Sequence, residues 1–254
     1  MAGSGNASLI VFRVVAVLGA VLHAAPIVFL GTSFTAGEMK IHVVHNTAGL
    51  AMFTGVIALG WTLAAISPER MIAPFQAATL AVVAVAIASA ISADPQAGLL
   101  TLIPGVLLVV LHPARPLLVR MGRTAPAPFA LAAVAVVPAV VFALSNASKQ
   151  RDGMPMDPHV EMHHWTGMAA FALTLVVVAV VAGLGGANRR IVAIAGGLGA
   201  VLYAAVSLSY SRYPGAVTTP WAIACLVWGA ALTGDGYRMA REPELRPNET
   251  GAIA

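Results

Sequence analysis

The stretch "HHWTGMAAFALTLVVVAVVAG", His163 to Gly183, contains no Asp, Glu, Lys or Arg. A helix of about 20 apolar residues crosses a hydrocarbon core of about 30 Å. In lipid every backbone polar group must be satisfied within the chain, so an unbroken apolar run reads as a membrane helix. A barrel strand would alternate apolar and polar residues instead. Immediately upstream stands "GMPMDPHVEM", Gly153 to Met162, which crowds methionine, histidine and acids against the mouth of that helix.

Outward from this stretch the whole chain repeats the apolar signal. Of 254 residues, 59% are hydrophobic and 9% charged, with mean hydropathy +0.87. A soluble domain carries about 25% charged residues. Eight apolar runs are long enough to span, at 9–31, 43–66, 71–93, 97–113, 125–146, 160–184, 190–210 and 214–234. The fold class is therefore an all-α integral membrane protein, with eight transmembrane helices expected.

Basic residues favour cytoplasmic loops. Arg70, Arg115, Arg120, Arg123, Arg189 and Arg190 fall in the even-numbered loops, and Arg238, Arg241 and Arg246 in the C-terminal tail. Only Lys40, Lys149, Arg151 and Arg212 oppose them. Both termini are expected in the cytoplasm, with residues 153–162 on the outer face of the cell membrane. The net charge of +4 restates this asymmetry and suits anionic lipid headgroups rather than nucleic acid. No cleavable signal pattern precedes the first run. A single cysteine, Cys225, excludes an intramolecular disulfide and a CxxC site.

At an offset of 118 residues the two halves align. "HNTAGLAMF" (His45 to Phe53) lies over "HHWTGMAAF" (His163 to Phe171), sharing His-x-x-x-Gly-x-Ala-x-Phe. The pattern predicts a 4+4 parallel repeat, with residues 1–122 and 123–236 as the two halves and 237–254 as a disordered cytoplasmic tail. Parallel repeats are related by an axis along the membrane normal, which would set His45 and His163 at one depth. Gly49 and Gly167 follow these histidines by four positions, and small residues mark faces where membrane helices approach. Both imidazoles are thus expected to point inward.

Six of the seven histidines fall at the outer side, and His112 alone at the inner. The candidate metal ligands are His45, His163, His159, His42, His23, Met154, Met156 and Glu161, with Met39 nearby. Three- and four-residue spacings, as in His42/His45 and His159/His163, place side chains on one helical face. Imidazole binds zinc, copper, iron or nickel, while thioether selects Cu(I), so mixed His/Met clustering without thiolate points to copper. Asp157 or Glu161 is suited to orienting a ligating imidazole. His164 shares its face with Met168 and Phe171 and is expected at the lipid boundary, beside Trp165 as an interfacial anchor. A bis-histidine haem b is the chemical alternative, with zinc or iron after it.

Below the His45/His163 layer, Met52 and Met168 continue inward, but the inner halves of the runs hold no acid, and Asp94 and Asp235 lie at run ends. A coupled carrier usually carries intramembrane carboxylates. The pattern therefore favours a one-sided centre for redox or oxygen chemistry on a lipophilic substrate or quinol, or for copper capture. A metal or small-solute transporter and an assembly scaffold are the other readings.

Overall fold

The computed structural model describes residues 3–35, 37–120, 122, 124–154 and 156–241. Arg123, Arg246, the side chain of Met39 and most of the expected tail lie outside that description. The described residues form helices and contain no strand. Six helical segments are long and apolar enough to cross a membrane: Ala7–Thr35, Lys40–Ile66, Ile72–Ile91, Pro126–Asp152, His164–Gly183 and Arg189–Ser209. The other two expected spans are also helical. One, α6 (Pro95–Leu111), has only 17 residues, closed off by Asp94–Pro95 at one end and His112–Pro113 at the other. The other, α11 (Thr219–Arg241), carries Asp235, Arg238 and Arg241 in its last turns. Residues 237–241, placed in the tail by the sequence, continue this helix.

Two spans are internally irregular. Proline has no N–H to donate, so Pro26 leaves the helix without its bond to the Leu22 carbonyl. The first span accordingly divides into α1 (Gly3–His23) and α2 (Pro26–Thr35). In the second span, α3 (Val43–Gly49) passes into a π-helical segment, Leu50–Ala58, and then into α4 (Leu59–Ile66). The two irregularities meet, because the Thr54 hydroxyl donates to the His23 carbonyl at 3.2 Å. Irregular backbone at membrane depth survives where such protein contacts satisfy it.

At the centre, α5 (Ile72–Ile91) packs against α9 (His164–Gly183), flanked by α6 and by α7 (Pro126–Asp152). Next to them, α10 (Arg189–Ser209) packs on α9, on α11 and on the π segment. Gly197 and Gly229 let α10 and α11 touch backbone to backbone, since a Cβ on either would lie 2.6 Å from the other's carbonyl oxygen. The faces beside His45 and His163 are looser than their glycines suggest. A Cβ at Gly167 would meet nothing within 4 Å, and one at Gly49 would make only ordinary contacts, with Pro26 at 3.8 Å and Phe53 at 3.9 Å.

Candidate metal centre

Helix starts deliver the histidines. A 3₁₀ turn, Gly37–His42, leads into α3, so His42 and His45 sit one turn apart at the mouth of the second span. On the facing side, α7 ends at Asp152 and a loop leads to a single turn, α8 (Pro158–Glu161). Asp157 caps α8: its Oδ1 accepts from the His159 backbone N–H at 2.9 Å and from His159 Nδ1 at 3.0 Å. The backbone bond is the larger cause holding the Asp157 carboxyl below its usual range, with the imidazole bond adding to it.

Four imidazoles converge there. Ring centroids lie 4.7 Å apart for His42–His159 and His42–His164, 5.0 Å for His45–His159, 4.9 Å for His45–His164 and 5.9 Å for His159–His164. His42 Nδ1 and His164 Nδ1 are 3.1 Å apart. One ligand nitrogen from each of His42, His159 and His164 falls within 4.8 Å of the others. Trp165 walls the cluster, its ring 4.8 Å from His45 and 5.5 Å from His159, with Lys149 Nζ 4.5 Å above its centre.

The hydrogen-bond account of this cluster is incomplete. Asp157 fixes the Nδ1–H tautomer of His159, and His159 Nε2 is left buried without a partner. Both ring nitrogens of His45 are buried without partners, although a neutral imidazole has one donor and one acceptor to satisfy. Each such group costs about 1–3 kcal/mol. The backbone of Gly215 (φ +85°) closes over His45, where a Cβ would lie 2.9 Å from Cε1 and Nε2. Tyr203 OH holds that loop by donating to the Gly215 carbonyl at 2.9 Å.

Of the sequence-derived ligands, the structure gathers His42, His45 and His159 and adds His164, which the helical pattern assigned to the lipid boundary. His163 turns the other way, its Nδ1 2.9 Å from Asp94 Oδ2, and so does not pair with His45. His23 Nδ1 donates to the Gly19 carbonyl at 2.8 Å, with its ring against Trp61 and Phe53, apart from the four rings. Met154 and Met156 are 75% and 89% exposed and Glu161 is exposed, so no thioether joins the imidazoles from this loop. His112 packs between Phe12 and Phe75 and accepts from the Ala114 N–H, a structural role.

The exchange of His163 for His164 has a local cause. The helix does not run through: α8 ends, and His163 takes the left-handed conformation, φ +56°. That conformation costs a non-glycine residue about 1–2 kcal/mol. Asp94, 6% exposed, had no assigned role in the sequence. Its Oδ2 also accepts from Thr166 Oγ1 at 2.7 Å.

Comparison with protein-family models, curated proteins and solved structures finds no match. The described residues themselves supply what can be said of the class: a helical chain with six segments long and apolar enough to cross a membrane and a three-histidine cluster that could hold a metal ion.

Proposed function

We propose that the chain is an integral membrane protein that holds one copper ion on His42, His159 and His164 at its extracytoplasmic face, for redox or oxygen chemistry on a lipophilic substrate or a quinol. The observation that carries the reading is His159. A carboxylate fixes one nitrogen of its ring and leaves the other bare and buried, and the ring offers a ligand nitrogen within 4.8 Å of those of two further imidazoles. Metal-ligating histidines are oriented by carboxylates in this way. Ligands about 2.0–2.1 Å from a tetrahedral ion lie roughly 3.3 Å apart, close to the 3.1 Å between His42 and His164.

Three imidazoles leave a coordination position for substrate, as in catalytic rather than structural sites. The ligand set is all nitrogen, so copper rests on the affinity order, in which Cu(II) exceeds the other first-row divalent ions, and not on thioethers. Haem is disfavoured by the rings themselves, whose contacts at 4.7–5.0 Å leave no width for a macrocycle between them. The packing is also what a parallel repeat would give. The α5 helix leans on α9, and α10 leans on the π segment, so the third span of each half meets the second span of the other.

Elemental analysis of protein purified in mild detergent tests the reading, with one copper per chain expected. Zinc alone would move the site to hydrolytic or structural work, a Soret band would restore haem, and no metal would leave a scaffold. Thiol labelling of Ser148→Cys and Gly186→Cys fixes the side, with the first expected outside and the second inside. The reverse result would put the metal in the cytoplasm.

A further inference from the structure

We infer that Asp94 is a positioning residue of the metal centre: it clamps His163 and Thr166, and so holds the left-handed turn that brings His164 against His42 and His159. The consequence for metal rests on the reading above; the geometry of the clamp does not.

The clamp is built from a helix end. At the close of α5, Asp94 N–H bonds the Ser89 carbonyl at 2.9 Å and Ala93 N–H bonds that of Ala90 at 3.3 Å, with Ala93 at φ +54°. This is a Schellman ending, a motif in which glycine usually takes the left-handed position. It aims the next side chain, Asp94, across to the start of α9. There a single oxygen, Oδ2, takes both the His163 and the Thr166 bonds.

The turn it holds decides which histidines can meet. In an unbroken helix, residues three or four apart share a face; His159 and His164 are five apart and would diverge. With His163 left-handed, α8 and α9 meet at an angle, and the two rings come within 5.9 Å. Relaxation of His163 to ordinary helical geometry would join α8 to α9 and scatter the cluster. Asp94 supplies the contact that opposes this.

Copper titration of four purified proteins tests the clamp: wild type, Asp94→Ala, His163→Gly and the double variant. Asp94→Ala should weaken binding about 10–100-fold, the usual scale for a group that orients ligands. Glycine takes positive φ without penalty, so His163→Gly should stay within about threefold of wild type, and the double variant should recover nearly to that level. Loss of a negative charge near the ion would not be repaired by glycine. Wild-type affinity in Asp94→Ala, or a double variant as weak as Asp94→Ala, overturns the inference. Amide exchange in metal-free protein judges the clamp independently. The Trp165 and Thr166 N–H groups stand in the first turn of α9, where a helix offers no carbonyl; joined to α8 they would gain those of Glu161 and Met162, so they should exchange several-fold more slowly in Asp94→Ala. Unchanged exchange there overturns the clamp even if wild type takes up no copper, whereas failed uptake with slowed exchange overturns only the metal reading.

Discussion

His42 Nδ1 and His164 Nδ1 lie 3.1 Å apart, although 122 positions separate them in the chain. One nitrogen can donate to the other in the metal-free protein, and both can turn their lone pairs to a shared ion. The second and sixth apolar runs are therefore joined at their mouths by chemistry as well as by packing.

Neighbouring histidines should behave differently. A four-ligand structural zinc site is worth about 10–16 kcal/mol, so one ligand contributes roughly 3 kcal/mol, about a hundredfold in affinity. His164→Ala should lose about that much copper affinity. His163→Ala removes a clamp partner and should lose less. Equal losses, measured by competition with a chelator of known affinity, would reject this division of roles.

The exposed methionines should be silent. Replacing Met154 and Met156 together by Leu is expected to leave both Cu(II) and Cu(I) retention at wild-type levels, because neither side chain packs onto the rings. A selective loss of Cu(I) in an equilibrium dialysis assay would show that the loop folds over the site when reduced metal binds.

Asp157 sets an acid limit. Its carboxyl is held below the usual range by the His159 bonds. A carboxyl lowered by folding contributes stability above its unfolded value of about 3.9, and that stability is lost as pH falls through the lower folded value. The cap on α8 should thus persist from pH 7 to pH 5, and metal released in that window reports proton competition at the imidazoles. Asp157→Asn, which keeps an acceptor for the backbone, should weaken copper binding by about tenfold at pH 7 while leaving the melting temperature nearly unchanged. A large fall in melting temperature with intact affinity would make Asp157 a cap and nothing more.

Gly215 tolerates no side chain. Its positive φ and its contact with His45 make Gly215→Ala both strained and crowded. The backbone term alone is about 1–2 kcal/mol, which should lower the melting temperature in detergent by several degrees. Tyr203→Phe removes one hydrogen bond and should cost about 1 kcal/mol. If Gly215→Ala melts like wild type, the loop does not press on His45.

Much of this was legible in the chain. Apolar run length finds the helices, six of them long and apolar enough to cross a membrane, and the crowding of histidine before the second and sixth runs is visible in the chain alone. The choice between His163 and His164 was not legible. Helical spacing assumes that the helix runs through, and the break falls on a histidine rather than on the glycine or asparagine that would announce it. Asp94 was hidden for another reason. Its partner lies 69 positions away, and an acid before proline at a run end looks like any solvated cap. The π segment sits in "LAMFTGVIA", whose composition matches the α-helical runs around it.

The place of Trp165 gives the centre a built-in optical signal. The chain has four tryptophans; Trp61 packs on His23, Trp228 bonds the Leu131 carbonyl on α7, and Trp221 is mostly exposed. Trp165 alone among them touches the imidazole cluster, through His45 and His159. A redox-active, open-shell ion on those rings would drain its excited state, whereas zinc, with a filled d shell and no redox chemistry, would leave its emission bright. Quenching of the fluorescence that Trp165→Phe removes would then set an open-shell ion at the centre apart from zinc and from an empty site.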